Sequence, residues 1–92
     1  FRSLGENTLL ALQKTTELLP TDVDAAFNLG AAQRTLGQPK NAIDSFQRVL
    51  TIDPNCIQAM FALGYLYREN GEVIAAEKAY LNLLKFEPNN LN

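Results

Sequence analysis

The chain matches itself at an offset of 34 residues, so that 23–56 align with 57–90 without a gap. Identical residues occur throughout the unit, at Ala25/Ala59, Phe27/Phe61, Leu29/Leu63, Gly30/Gly64, Arg34/Arg68, Gly37/Gly71, Ala42/Ala76, Leu50/Leu84, Pro54/Pro88 and Asn55/Asn89. A unit this short cannot bury its hydrophobic face alone, so tandem units bury it against each other. The repeat therefore predicts a solenoid and argues against an irregular bundle.

Two helices are predicted in each unit, because apolar residues recur there at intervals of three and four. Gly37 and Gly71 follow the first helices, and Pro54 and Pro88 follow the second helices. The predicted helices cover about 22–36, 39–52, 56–70 and 73–86, with another over about 6–19. We expect an all-α chain of about five helices, in which 1–22 are the second helix of a truncated preceding unit, 23–56 and 57–90 are full units, and 91–92 are a tail.

Polar pairs mark the expected starts of the first helices. Thr21 followed by Asp24 has the spacing of a capping box, in which each side chain accepts a hydrogen bond from a backbone N–H at the helix start. Asn55 and Gln58 repeat this spacing one unit later. Pro39 suits the first turn of the next helix, where its missing N–H would have had no partner.

Small residues indicate where the two helices of a unit approach each other. Gly30 and Ala42 in the first unit, and Gly64 and Ala76 in the second, lack bulk where a close crossing is expected. Phe46 and its counterpart Tyr80 are expected to fill the space beside them.

These positions resemble the tetratricopeptide repeat. The matching residues are Ala26, Leu29, Gly30, Ala42, Phe46 and Pro54 in the first unit, and Met60, Leu63, Gly64, Tyr67, Ala76, Tyr80 and Pro88 in the second. Gln33 departs from the pattern where Tyr67 supplies its aromatic, as do Val49 and Leu83 at a small position and Pro39 and Val73 at an aromatic one. The resemblance implies a right-handed α-α superhelix of antiparallel hairpins, whose first helices line a concave groove that binds peptides or proteins, and it implies no catalytic residues within the repeat.

The resemblance also indicates candidate binding residues on the concave face. They are Phe27, Asn28, Arg34, Phe61, Tyr65 and Arg68, with Asp24, Ala31, Thr35, Gln58, Ala62 and Glu69 beside them. Aromatic residues and arginine tend to dominate binding energy, and two guanidinium groups one repeat apart suit an acidic or extended peptide. The alternative is that Phe27 and Phe61 pack between the first helices while the arginines are solvated or paired with Asp24 and Glu69.

Two ligand types of the family find little support. The clamp that holds the acidic C-terminal tails of chaperones places lysine near the middle of the first helix, where this chain has Phe27 and Phe61. The asparagine ladder of the O-linked N-acetylglucosamine transferase is matched by Asn28 but interrupted by Ala62.

Composition excludes several other functions. The chain has no histidine and no carboxylate cluster with metal-ligand spacing, so we expect no enzyme activity, no cofactor and no metal. A net charge of −2 with scattered basic residues gives no nucleic-acid footprint, and the apolar runs are too short for membrane insertion.

A single cysteine, Cys56, cannot form an internal disulfide. We interpret it as an incidental thiol and favour a cytoplasmic location.

Other functions stay open at this point. Because the chain begins at Phe1 without a methionine, we expect a segment of a longer array, and the accessory repeat region of a larger protein or enzyme is one alternative. Another is a self-associating structural segment, a homo-oligomer through uncapped ends, in which the last helix exposes Ile74, Tyr80, Leu81 or Leu84. RNA-binding helical repeats are disfavoured by the strict 34-residue period and the acidic balance.

Overall fold

Five consecutive α-helices make up the described part of the chain. A computed structural model describes residues 4–86, and the predicted tail at 91–92 and Pro88 lie outside them. The helices are α1 (Leu4–Leu18), α2 (Val23–Thr35), α3 (Pro39–Ile52), α4 (Ile57–Glu69) and α5 (Val73–Phe86). The all-α prediction is confirmed, and the observed helix limits differ from the predicted ones by no more than two residues at any end.

Each helix packs against the next, and the most extensive packing is within the hairpins α2–α3 and α4–α5. The predicted close crossing is confirmed: a Cβ added at Gly30 would lie 3.0 Å from the Phe46 ring, and one at Gly64 would lie 2.6 Å from the Tyr80 ring. Ala42 is completely buried beside this contact. A side chain at either helical position would therefore force the aromatic ring to move.

Gly37 and Gly71 are required for a different reason. Their φ angles are 77° and 82°, and a Cβ at either position would meet nothing within 4 Å. The turn after α2 is closed by Gln38 N–H, which donates to the carbonyl of Gln33 at 2.8 Å, and Pro39 then occupies the first turn of α3. The predicted helix ends are confirmed, and they depend on a left-handed residue.

The predicted capping boxes are wrong. Asp22, not Thr21, is the N-cap of α2, and its Oδ1 accepts hydrogen bonds from the backbone N–H groups of Asp24 (2.9 Å) and Ala25 (3.2 Å). Its extended φ and ψ of −83° and 113° allow this geometry. In the second unit the N-cap position of α4 is Cys56, which makes no side-chain cap bond, while the Asn55 N–H donates to Asp53 Oδ1 at 3.1 Å.

One hydrophobic core runs through both hairpins. Its buried members are Ala26, Ala42, Ile43, Phe46, Val49, Ala59, Leu63 and Leu66. Cys56 packs against this core as a half-buried free thiol. The units share one core because α4 contacts α3 as well as its own partner α5.

The departure at Gln33 from the aromatic position is explained by a buried hydrogen bond. Ser45 Oγ donates to Gln33 Oε1 at 2.6 Å, and both side chains are buried. In the second unit these two positions are Tyr67 and Ala79, and the Tyr67 hydroxyl instead accepts from Gln47 Nε2 of α3 at 2.6 Å. Each unit therefore satisfies the polar atoms of this pair in its own way.

Candidate binding surface formed by α2 and α4

Aromatic and arginine side chains of the two first helices meet on one face. Phe61, Tyr65 and Arg68 lie at intervals of four and three along α4, so they share one side of that helix. Arg34 reaches the same place from the last turn of α2. Four of the six predicted site residues are thereby brought together.

Both arginines lie against the ring of Tyr65. Cζ of Arg34 is 5.7 Å from the centroid of the Tyr65 ring, and Cζ of Arg68 is 5.4 Å from it. Both distances are within the range of a cation–π interaction. The two guanidinium carbons can therefore be separated by no more than the sum of these distances, and the half-buried tyrosine fixes them near each other.

A groove of about 460 Å³ opens beside this cluster. It is lined by Arg34, Phe61, Tyr65 and Glu69. Phe61 is 57% exposed, and its ring lies near that of Tyr80, with the centroids 6.3 Å apart and the planes tilted by 56°. The surface thus combines an exposed aromatic ring, a half-buried phenol, two cations and one carboxylate.

Phe27 and Asn28 do not line this groove. Phe27 is half-buried, and its ring packs edge-on against Phe46 with centroids 5.2 Å apart, so it contributes to the core. Asn28 is exposed on α2. Phe27 and Phe61 occupy equivalent positions in the repeat. Phe27 packs against the buried Phe46, whereas Phe61 packs against the half-buried Tyr80. The sequence does not reveal this difference in burial.

The Arg34–Tyr65–Arg68 cluster was missed as a unit by the sequence analysis. Arg34 and Arg68 are equivalent positions one repeat apart, but Tyr65 corresponds to Ala31 and belongs only to the second unit. The sequence signal for this cluster is Tyr65, which lies about one turn before Arg68 on α4. This helix follows the α2–α3 hairpin, which carries Arg34.

Two further properties of the described residues bear on function. Between residues 4 and 86, no cluster of three or more His, Cys, Asp or Glu side chains is arranged to hold a metal ion. No helix in the same part of the chain has both the length and the apolar character needed to cross a membrane.

Solved structures with a similar helical fold include those described as MamA. One MamA crystal structure is 28% identical over 94% of this chain, with a TM-score of 0.86. MamA MSR-1 is 27% identical over 94% of the chain (TM-score 0.85), and MamA 41-end from Desulfovibrio magneticus RS-1 shares the fold at 21% identity over 92% (TM-score 0.87). The chain spans about half the length of these proteins, 50%, 49% and 48% respectively. No curated protein matches the chain.

Family models for the tetratricopeptide repeat match the two units separately, one over residues 23–56 and one over 57–90. The two matched ranges cover most of the chain, and the MamA structures share its helical superhelix. Repeats of this type form a non-catalytic scaffold for protein–protein interaction. The chain belongs to the tetratricopeptide repeat family.

Proposed function

We infer that this chain is a non-catalytic interaction module that binds a peptide or protein segment on the face formed by α2 and α4. The observation that carries the proposal is Phe61, a large apolar ring left 57% exposed beside Tyr65 and two arginines. Aromatic residues and arginine are the residue types that most often dominate binding energy. An exposed ring beside such a cluster gives a partner an apolar anchor.

The charges of the cluster favour an extended segment with acidic side chains. Arg34 and Arg68 offer planar guanidinium groups that bind carboxylates with two hydrogen bonds. Both groups lie against the Tyr65 ring, so one partner segment can reach both. Glu69 at the groove edge would repel acids at that end, so the acidic residues of the partner should face Arg34 and Arg68.

Peptides selected from a random library against the wild-type chain test this proposal. Phe61→Ala should weaken the affinity of the selected peptides about tenfold or more. Arg34→Ala and Arg68→Ala should each weaken it and reduce its dependence on salt. Arg48→Ala is the matched control, because Arg48 is an exposed arginine on α3 outside this groove. Selected peptides that bind the Phe61, Arg34 and Arg68 variants as tightly as the wild-type chain would contradict the proposal.

A second candidate function is self-association through the outward face of α5. Val73 and Ile74 are 67% and 72% exposed, and the equivalent positions of the first unit are Pro39 and Lys40. Leu81 and Leu84 are also exposed, while Tyr80 is half-buried. Ile74→Lys, which copies the first unit, should convert a dimer to a monomer in light scattering, whereas Lys40→Ala should not. A wild-type chain that is monomeric at all concentrations would contradict this function.

The division of the chain into units belongs to the same proposal. We take α1 as the second helix of a preceding unit because it packs against α2 as α3 packs against α4. Thr16 of α1 then corresponds to Leu50 of α3, and both contribute to grooves between successive second helices.

A further inference from the structure

A second groove lies between the second helices α3 and α5 and crosses α4. It has a volume of about 880 Å³, and its floor is formed by the buried side chains of Met60 and Leu63. Successive helix residues are rotated by about 100°, which places Met60 and Leu63 on the side of α4 opposite Phe61 and Tyr65. This outer groove is therefore a different surface from the face formed by α2 and α4, and its function does not depend on peptide binding at that face.

The repeat supplies a built-in comparison for this groove. A smaller groove of about 320 Å³ lies between α1 and α3, and each of its lining residues has a counterpart 34 positions later that lines the outer groove. Three polar residues of the smaller groove are replaced by apolar ones: Thr16 by Leu50, Ser45 by Ala79 and Gln47 by Leu81. Thr16 and Ser45 are buried, so the change at the surface is from the exposed Gln47 to Leu81, which is 54% exposed. The solenoid therefore does not itself require an apolar side chain at the position of Leu81.

The charges of the two grooves differ as well. Asp44 and Arg48 give the smaller groove one acid and one base, whereas Lys78 and Asn82 stand at these positions in the outer groove. Lys85 adds a second cation where the first unit has Thr51. The lining of the outer groove thus has two lysines and no carboxylate, although the chain as a whole carries a net charge of −2.

The repeat indicates how a further hairpin after α5 would affect the outer groove. The smaller groove is open although α4 and α5 come after it. By the repeat, a hairpin packed after α5 would leave the groove between α3 and α5 open in the same way.

We propose that the outer groove binds an amphipathic helical segment of a partner protein that carries acidic residues on either side of its apolar stripe. Leu81, which is 54% exposed, lies between Lys78 and Lys85 on α5. The two lysines are seven residues apart, which is two helical turns or about 10 Å. A partner helix with Asp or Glu at i and i+7 and apolar residues between them places carboxylates near both lysines and apolar side chains on Leu81 and Leu50.

The experiment uses a chain in which the face formed by α2 and α4 is disabled. A library of 16-residue peptides is selected on the Phe61→Ala/Arg68→Ala variant, and the enriched peptides are synthesised and titrated by fluorescence anisotropy. Enrichment of peptides with acidic residues around an apolar stripe is expected. Leu81→Gln and Lys78→Asp, which copy the first unit, should each weaken binding about tenfold. Arg48→Ala, in the smaller groove, should leave it unchanged.

Several results would overturn the proposal. They are the absence of any enriched peptide, enrichment without acidic residues, or affinities that are insensitive to both Leu81→Gln and Lys78→Asp. A wild-type dimer in light scattering that Leu81→Gln dissociates would show that a second copy of the chain occupies the groove. Binding of phosphatidylserine vesicles that requires Leu81 and Lys78 would assign it to anionic lipid. If Leu81→Gln lowers helical circular dichroism, the exposed Lys78→Asp variant alone decides the outcome.

Discussion

Gly30→Ala should destabilise the chain although alanine is the better helix former by about 1 kcal/mol. The new methyl carbon would lie 3.0 Å from both Cε2 and Cζ of Phe46, so the ring would have to retreat by a few tenths of an ångström. Phe46 has little room, because it is 2% exposed and packs edge-on against Phe27. Overpacking a closed core costs about 1–3 kcal/mol, so the net loss of unfolding free energy should be about 0–2 kcal/mol.

Gly64→Ala is the internal comparison, because the same crossing recurs in the second unit. Its methyl carbon would lie 2.6 Å from Cε1 of Tyr80, a shorter distance than at Gly30. Tyr80 is half-buried, however, and its ring can swing outward. We therefore expect a smaller loss at Gly64 than at Gly30, the reverse of the order that distance alone predicts.

A double-mutant cycle between Gly30 and Phe46 measures the contact. Leucine lacks the two closest ring atoms, so in a Phe46→Leu background Gly30→Ala should stabilise by about 1 kcal/mol through helix propensity. The coupling from urea denaturation, followed by far-ultraviolet circular dichroism, should be about 1–3 kcal/mol. A coupling near zero, or a stabilising Gly30→Ala in the wild-type chain, would refute the close approach as the reason for glycine.

Three further predictions concern the helix ends and the buried polar pair, and thermal melts check each. Ser45→Ala should cost about 1–3 kcal/mol by removing the donor to Gln33, and adding Gln33→Tyr, which copies the second unit, should recover most of the loss; no recovery would contradict the equivalence. Asp22→Ala should cost about 1 kcal/mol and Thr21→Ala much less, and equal losses would argue against the Asp22 cap. Gly37→Ala should cost about 1–2 kcal/mol despite open space, so an unchanged melt would exclude its left-handed φ as the cause.

The order and limits of the helices could be predicted because glycine, proline and apolar spacing act locally. The caps could not, because Thr21 and Asp22 are both good N-cap residues and adjacent in sequence. The N-cap is the residue whose extended backbone directs its side-chain oxygen at the free N–H groups at the start of α2. The turn between α1 and α2 determines which residue has that conformation. Only the structure shows that Asp22 has this conformation.

The candidate site was predictable in part for a similar reason. Arg34 and Arg68 could be recognised from the repeat, but their proximity depends on Tyr65, which lies on a different helix from Arg34. Likewise, Leu50 and Leu81 line the same groove but are 31 residues apart, and the sequence predicts only that Leu81 lies on an exposed face. Contacts between helices of different hairpins depend on the packing of the units, which residue spacing within one unit does not reveal.

Positions 34 residues apart occupy the same place in the hairpin, so residues that differ between them show what the fold leaves free. Gly30 and Gly64 are identical because both face an aromatic ring at close range. Lys78 and Leu81 differ completely from Asp44 and Gln47, although each pair lines an equivalent groove. The Lys78→Asp/Leu81→Gln variant should therefore keep its unfolding free energy within about 0.5 kcal/mol of the wild type while it loses partner binding. A larger loss of stability in urea denaturation would show that these side chains support the fold, and the apolar groove would then need no partner to explain it.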